Sequence, residues 1–261
     1  MVGRRGFIFD LDGTLYRGEK PIAGAPETVA ELRRQGHGVV FASNKPLERR
    51  EAFAEKLTQL GIPAAPEEVI NSTLVLARYL VREMPGVTVF AIGERPLLEE
   101  LEAAGLTLGE DPEEIDVVVA SFDRTFDYGK LDIGYQALRC GARFLATNAD
   151  RTCPVEGGEI PDAAAVIGAL EGCSGRKVEL VVGKPSPLIV EMALQQLGLP
   201  AETCLMVGDR VETDIVMGRH SGMATALVLT GVTQRDHLAE APVQPDYVLE
   251  SVVEILHILD V

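Results

Sequence analysis

Short apolar runs alternate with segments of helical periodicity along nearly the whole chain, and this rhythm constrains the fold more than any other feature. Predicted strands lie at residues 6–9, 38–42, 180–182, 204–207 and 224–229, and predicted helices at 27–35, 46–60, 187–197 and 212–218. Strand followed by helix, repeated, predicts parallel strands joined by right-handed crossovers. We therefore expect an α/β protein in which helices cover both faces of a parallel sheet, a three-layer α/β/α arrangement.

The middle of the chain repeats the rhythm and has loops rich in Gly, Pro, Asp and Glu. Its predicted strands lie at residues 87–92, 117–120 and 144–146, and its predicted helices at 95–104, 130–139 and 163–170. A stretch of about 100 residues is long enough to form a domain. We expect residues 1–75 and 180–261 to form one core, with residues 76–179 as an inserted α/β domain.

Composition and charge exclude several classes of partner. The 261 residues include 24 basic and 40 acidic side chains, a formal net charge of −16, which repels nucleic acid and anionic membranes. No apolar run approaches the ~20 residues of a membrane-spanning helix. The run after Arg4 and Arg5 stops at Asp10, too early for an export signal, and the four cysteines form no C-x-x-C pair. These features predict a cytoplasmic protein that binds neither nucleic acid nor membrane.

Two acids, Asp10 and Asp12, follow the first predicted strand and precede Gly13. In open parallel sheets the reactive crevice lies beyond the carboxyl ends of the strands. Two carboxylates packed there repel each other unless a cation lies between them, and oxygen ligands without His or Cys favour Mg²⁺. The alternative for this pair taken alone is two solvated loop acids.

Three further charged residues follow later predicted strands. Asp209 follows the strand at 204–207, and Asp214 lies five residues further on. Lys184 follows the strand at 180–182 and precedes a proline. A third carboxylate would complete a metal site, a fourth could orient the ligands, and a lysine could neutralise phosphate oxygens. Taken singly, these residues could equally be a turn, an acid at a helix start and a solvated lysine.

A hydroxyl and an amide, Ser43 and Asn44, follow the strand at 38–42 and can donate hydrogen bonds to a phosphate group. An ordinary cap and turn is the alternative. Thr147 and Asn148 repeat the pattern later in the chain. We prefer Ser43 because it lies in the block directly after the Asp10 strand.

Together these segments resemble a known family. DLDGTLYRG, FASN, GKPSP and GDRVETDI resemble the four motifs of the haloacid dehalogenase-like (HAD) superfamily, and ASFDRTFDYGKL and FLATNADRTCPVEGG resemble the cap of its NagD-like, p-nitrophenylphosphatase-type members. The resemblance implies a Rossmann-like core with an inserted cap. It also implies a Mg²⁺-dependent phosphatase that acts on a small phosphorylated substrate through an aspartyl-phosphate intermediate.

The resemblance also implies roles for individual residues. Asp10 matches the nucleophile, Asp12 the general acid/base whose main-chain carbonyl contacts the metal, Ser43 and Asn44 the phosphate-binding loop, Lys184 the motif lysine, Asp209 a metal ligand and Asp214 its support. The physics is compatible with these roles, because a cation and a lysine can offset the charge that builds on the phosphoryl oxygens.

The chain departs from the family pattern in two places. It has Ser43-Asn44-Lys45 where Thr-Asn-Asn is common, and we assign no role to Lys45. Residues 161–165 replace a glycine-rich run, so substrate identity does not transfer with the resemblance. We predict that the cap residues facing the substrate are Asn148, Asp150 and Arg151.

Two other functions and two assembly states stay open at this point. The rival functions are a phosphotransferase or mutase that passes the phosphoryl group to a sugar hydroxyl, and a non-catalytic phosphate-binding module. The acidic composition and the lack of a coiled-coil pattern do not decide between a monomer and a homodimer.

Overall fold

The structure is a computed structural model that describes residues 4–155 and 157–259. The chain divides into two compact units. The first contains the chain up to Ser43, Arg50–Ile70 and the chain from Lys184 on, and the second contains Asn44–Arg49 and Asn71–Gly183. The division of the sequence at residues 75/76 and 179/180 stays a prediction.

The described strands and helices alternate along the chain. The strands are β1 (Gly6–Phe9), β2 (Tyr16–Arg17), β3 (Lys20–Pro21), β4 (Gly38–Ser43), β5 (Val69–Asn71), β6 (Thr88–Ile92), β7 (Thr107–Leu108), β8 (Val117–Ala120), β9 (Arg143–Ala146), β10 (Thr152–Val155), β11 (Gly158–Pro161), β12 (Leu180–Val181), β13 (Cys204–Gly208), β14 (Ala224–Val228) and β15 (Tyr247–Leu249). The helices are α1 (Ala25–Arg34), α2 (Arg50–Gln59), α3 (Ser72–Glu83), α4 (Arg95–Ala103), α5 (Tyr128–Cys140), α6 (Ala163–Ser174), α7 (Pro187–Leu197), α8 (Val216–His220) and α9 (Ile255–Leu259).

A six-stranded sheet in the order β15-β14-β13-β1-β4-β5 forms the centre of the first unit. Strand β1 pairs in parallel with both β13 and β4, and its last residue, Phe9, lies opposite Val207 and Phe41. This register brings the carboxyl ends of the three strands to one level. The residues that follow β1, β4 and β13 therefore share one edge of the sheet.

Helices cover both faces of this sheet, because successive side chains of each buried strand point to opposite faces. Phe7, Phe9 and Phe41 pack on one side in a core that includes residues of α1 and α2. On the other side, the close approach of Gly218 in α8 to Met206 leaves no room for a Cβ atom. The predicted three-layer α/β fold class is confirmed.

The second unit has its own parallel sheet, in the order β12-β9-β8-β6-β7. Its core includes the buried side chains of Phe90, Val118 and Phe144 together with residues of α5 and α6. The antiparallel hairpin β10–β11 follows β9. An α/β unit inserted in an α/β core is the organisation that the strand and helix rhythm predicted.

The sequence predictions were wrong at two helices and did not include α3 or α9. The helix predicted from residue 46 begins at Arg50, since the preceding segment belongs to the second unit, where the Asn71 amide binds the Glu48 carbonyl. The helix predicted over 212–218 is a π-helical turn, Val211–Ile215, followed by α8. Helix α3 was not predicted, although the Asn71 side chain caps it by accepting a hydrogen bond from its backbone.

Among the described residues, no helix combines the length and the apolar character that crossing a bilayer requires.

Candidate active site

Asp10 lies directly after β1, the buried central strand of the first unit. Its backbone N–H donates to the carbonyl of Val207 (2.8 Å), which extends the sheet pairing by one residue. One carboxylate oxygen, Oδ1, accepts from the Lys184 ammonium, and the other, Oδ2, accepts from the Thr14 hydroxyl (3.4 Å). The strand and these two donors together hold the carboxylate at the edge of the sheet.

Three carboxylates converge at this edge. Asp10, Asp209 and Asp214 each offer an oxygen, and these oxygens all lie within 4.8 Å of one another. Asp209 and Asp214 are buried, with exposed fractions of 1% and 0%. The structure therefore brings together acids that are about 200 residues apart in the sequence, close enough to share one cation.

Glycines make room for the carboxylates. A Cβ atom on Gly13 would lie 2.7 Å from Asp209 Oδ2, and the backbone φ of +87° at Gly13 also disfavours other residues. A Cβ on Gly208 would lie 2.3 Å from Asp214, and one on Gly231 would lie 1.9 Å from Asp209 Oδ2. Alanine at any of these positions would displace an acid of the cluster.

Lys184 is the buried cation of the cluster, with an exposed fraction of 4%. Its ammonium donates to Asp10 and, at 2.7 Å, to Asp214 Oδ1. Burial alone lowers the pKa of Lys184, but the two carboxylates outweigh burial and raise its pKa above the ordinary value. Lys184 is therefore charged at every pH at which the protein would work.

The electrostatics of the acids favour a bound cation. Burial, together with repulsion from Asp10 and Asp214, raises the pKa of Asp209 to about 8. Burial also raises the pKa of Asp214 to about 6, even though Lys184 opposes the shift. Three carboxylates facing one ammonium leave two negative charges, which a divalent ion would neutralise. The all-oxygen donor set fits a hard cation such as Mg²⁺.

Two other predicted site residues lie in the first unit, but outside the group of three acids. Ser43 is the last residue of β4 and is buried, so its position is set by the sheet. Asp12 is exposed, and its backbone forms an isolated bridge with Tyr16 at the start of the β2–β3 hairpin. The structure thus separates the two acids of the D-x-D pair into a clustered one and an exposed one.

Three of the predicted substrate and phosphate contacts lie in a polar network of the second unit. Asp150 Oδ2 accepts from the amides of Asn44 (3.0 Å) and Asn148 (3.1 Å). The Asn148 amide also donates to Asp162 Oδ1 (3.0 Å). Arg151 is exposed. Asn44 and Asn148 therefore hold a carboxylate of their own unit, whatever else they bind.

Two groups of residues around these clusters were not predicted from the sequence. Asp162 could have been found as an acid in front of the helical run at 163–170, because such positions favour a side chain that caps the helix. Thr230, Gly231 and Val232 follow β14 and contact both acid-bearing loops. These three residues carry no charge and lie in a short polar turn. In the sequence, only the adjacent threonine and glycine could have indicated that this turn contacts the acids.

Comparisons with known proteins agree with this geometry. A model described as haloacid dehalogenase-like hydrolase matches residues 7–107, and a second HAD-hydrolase-like model matches residues 181–255. The sugar-phosphatase AraL of Bacillus subtilis is 40% identical to this chain, covering 97% of this chain and 93% of its own. The 5'-nucleotidase YutF of the same organism is 36% identical over 96% of each chain.

The chain belongs to the haloacid dehalogenase-like hydrolase superfamily. Within that superfamily it is similar to the p-nitrophenyl phosphatase from Archaeoglobus fulgidus, with a TM-score of 0.92 and 36% identity over 98% of this chain and 99% of the other. NagD from Escherichia coli K-12 gives a TM-score of 0.88 and 30% identity over 96% and 98%. The predicted NagD-like subfamily is confirmed, and so is the predicted enzyme class, a phosphatase.

Proposed function

We propose that this HAD-superfamily phosphatase hydrolyses a small phosphomonoester in a Mg²⁺-dependent reaction that passes through a phosphorylated Asp10. One observation carries the proposal: the Asp10 carboxylate stands at a strand end, paired with the buried Lys184 and within 4.8 Å of two further carboxylates. Such an arrangement can bind a phosphate anion only if positive charge offsets the acids. Lys184 supplies one positive charge, and a metal ion bound by the acids would supply more.

In the first step of the proposed reaction, an oxygen of Asp10 attacks phosphorus and the bond from phosphorus to the ester oxygen breaks. Asp12 gives its proton to the leaving oxygen. In the second step Asp12 takes a proton from water, the resulting hydroxide attacks phosphorus, and Asp10 leaves as a free carboxylate. Two acids at the end of one strand suit these two reaction steps, because one acid must be ionised while the other holds a proton.

The remaining residues neutralise and position charge. Lys184 offsets the charge on the phosphoryl oxygens, and the Ser43 hydroxyl and the Asn44 amide are proposed donors to the phosphate. A bound Mg²⁺ would supply further charge neutralisation between the phosphate and the acids. Asp10, Asp209 and the main-chain carbonyl of Asp12 would hold it.

Asp214 suits a supporting role better than direct ligation. Its Oδ1 accepts from Lys184 (2.7 Å) and its Oδ2 accepts from the backbone N–H of Arg210 (3.1 Å). We therefore propose that Asp214 orients Lys184 and supports the ligands.

The names of the relatives suggest candidate substrates. A sugar phosphatase, a 5'-nucleotidase and p-nitrophenyl phosphatases are among them. We therefore propose a sugar phosphate or a nucleoside monophosphate as the substrate class, with p-nitrophenyl phosphate as a surrogate. Asn148, Asp150 and Arg151 remain the proposed substrate contacts of the second unit.

The test is a panel of these phosphomonoesters assayed with Mg²⁺ and with EDTA. We expect hydrolysis only with Mg²⁺, release of free phosphate rather than a phosphorylated sugar, and an acid-stable phosphoenzyme that can be trapped on Asp10. Asp10→Asn should abolish turnover, because an amide cannot attack phosphorus. Glu27→Gln, at an exposed acid of α1, is the control and should keep full activity.

Substantial residual activity in Asp10→Asn would show that Asp10 is not the nucleophile. Phosphate transfer to a sugar hydroxyl would make the protein a phosphotransferase. We also propose that the protein is cytoplasmic. Sedimentation analysis would decide whether it is a monomer or a homodimer.

A further inference from the structure

The segment from Thr230 to Thr233, which follows β14, touches both loops that carry the proposed metal ligands. The Thr230 hydroxyl donates to the carbonyl of Gly13 (2.6 Å), in the loop after β1. The Thr233 N–H donates to the carbonyl of Asp209 (3.1 Å), in the loop after β13. The segment therefore joins two chain regions whose relative position determines whether Asp10 and Asp209 can share an ion.

The same segment fixes the orientation of the Asp209 side chain. The backbone N–H of Val232 donates to Asp209 Oδ2 (2.6 Å). Gly231 lies so close that a Cβ atom there would be 1.9 Å from the same oxygen. A carboxylate that accepts one hydrogen bond through Oδ2 can still coordinate a metal through Oδ1. The contacts thus select one orientation of a side chain that must present a defined oxygen.

The segment is itself held at both ends. The hydroxyl of Thr233, which is 6% exposed, accepts from the backbone N–H of Val211 (3.3 Å). At the other end, Arg17 of the β2–β3 hairpin donates through Nε to the carbonyl of Thr230 (2.5 Å). A shift of the segment would break several hydrogen bonds at once, so it can act as a rigid support.

We propose that Thr230, Gly231 and Val232 form a positioning element that presents the Asp209 carboxylate to the divalent cation. The inference rests on the proposed function, because the cation belongs to that proposal. Residues that orient the ligands of a metal typically change metal affinity or activity 10- to 100-fold when they are replaced. None of the three residues needs to touch substrate.

The experiment compares Mg²⁺ binding to metal-free protein with the Mg²⁺ dependence of hydrolysis. Binding is followed without substrate as the rise in Tm with Mg²⁺ concentration. We expect Thr230→Val and Gly231→Ala to bind Mg²⁺ about tenfold more weakly than wild type. Both should need correspondingly more Mg²⁺ for half-maximal hydrolysis of p-nitrophenyl phosphate, with little change in KM at saturating Mg²⁺. Thr230→Ser keeps the hydroxyl and should restore wild-type binding.

Thr28→Val is the matched control, since Thr28 is equally a threonine whose hydroxyl donates to a backbone carbonyl (2.8 Å), but in α1. It should leave Mg²⁺ affinity unchanged. Wild-type Mg²⁺ affinity in Thr230→Val, or an equal loss in Thr28→Val, would overturn the inference while the proposed function stands. Absence of Mg²⁺ binding and Mg²⁺ dependence in the wild type would overturn both.

Arg17→Met serves if Thr230→Val does not fold. Arg17 is exposed, so the variant removes one tether of the segment without opening the core. We expect about threefold weaker Mg²⁺ binding, the size of a lost exposed hydrogen bond. Unchanged Mg²⁺ affinity in Arg17→Met would then count against the inference.

Discussion

The ammonium of Lys184 lies 2.7 Å from a carboxylate oxygen of Asp214, and both side chains are almost completely buried. The same ammonium contacts Asp10, so one cation holds two acids of the cluster in place. A buried charge that loses its partner is costly, whereas an exposed ion pair contributes little. The pairing therefore links the stability of the fold to the chemistry proposed for the site.

Lys184→Met should destabilise the metal-free protein by about 3–5 kcal/mol, because it leaves buried carboxylates without their counter-charge. Urea unfolding at pH 8, where the acids are most ionised, measures the loss. The double variant Lys184→Met/Asp214→Asn should recover part of it, since it removes one of the stranded charges. Lys177→Met, at an exposed lysine that pairs with Glu171, is the control and should cost less than about 1 kcal/mol. An equal loss in both single variants would contradict the buried-pair interpretation.

Asp209→Asn should stabilise the metal-free protein at pH 8 while it weakens Mg²⁺ binding. Burial raises the pKa of Asp209 to about 8 in the folded protein, from an ordinary value of 3.8 in the unfolded chain. The stabilisation of the fold by protonated Asp209 is therefore complete below pH 3.8. That stability is lost as the pH rises through about 8. In EDTA the Tm difference between variant and wild type should therefore grow from pH 4 to pH 8.

Added Mg²⁺ should make the wild type more thermostable than Asp209→Asn, because it should raise the Tm of the wild type but hardly that of the variant. Glu212→Gln, at an exposed acid nearby, is the control and should follow the wild type in both media. A pH-independent Tm difference in EDTA would mean that Asp209 titrates as an ordinary surface acid.

His37→Asn should flatten the acid side of the stability curve. Burial, with repulsion from Arg5, lowers the pKa of His37, whose Nδ1 accepts a hydrogen bond from the Arg5 N–H (3.2 Å). The contribution of the neutral His37 ring to the free energy of unfolding is complete above the ordinary pKa of about 6.5. This contribution is lost as the pH falls through the lowered pKa of the folded protein. Asparagine can keep the acceptor but takes up no proton.

The measurement is the free energy of unfolding between pH 7 and pH 5, where His37 adds a slope of at most about 1.4 kcal/mol per pH unit. His220→Asn, at an exposed histidine, should keep the wild-type slope. The interpretation of His37 fails if its variant does so too.

Asn148→Ala should destabilise the second unit by about 2 kcal/mol or more. Asn148 is 1% exposed, and its amide donates to both Asp150 and Asp162 while its carbonyl oxygen accepts from Thr147 (2.9 Å). Truncation leaves buried polar groups without partners. Asn148→Asp should be worse, because it adds a third carboxylate.

Thermal unfolding of the Asn148 variants checks this prediction. Ser174→Ala is a milder control, since it removes a part-buried hydroxyl that donates to the Leu170 carbonyl and accepts from the Arg176 N–H at the end of α6. Full stability combined with a raised KM would instead show that Asn148 acts only as a contact to substrate.

The parallel α/β architecture could be predicted because its cause is local. Each central strand is a run of buried residues, and most of the longer helices repeat apolar residues at helical spacing, so this pattern indicates the type and order of these elements. Asp10, Lys184 and Asp209 could be placed at one edge because all three follow such runs. The start of α2 and the π-helical turn before α8 could not, since contacts from outside each segment decide them.

The sequence by itself determined the order of the central strands and of most of the longer helices, and which acids follow those strands. Only the tertiary structure decided which oxygen faces which donor. Lys184 meets Asp10 across 174 residues of chain, Asn44 meets Asp150 across 106, and the Thr230 hydroxyl reaches Gly13 across 217. Such contacts depend on strand register, on glycines that admit a close neighbour and on side-chain rotamers. None of these leaves a periodic trace in the order of the residues.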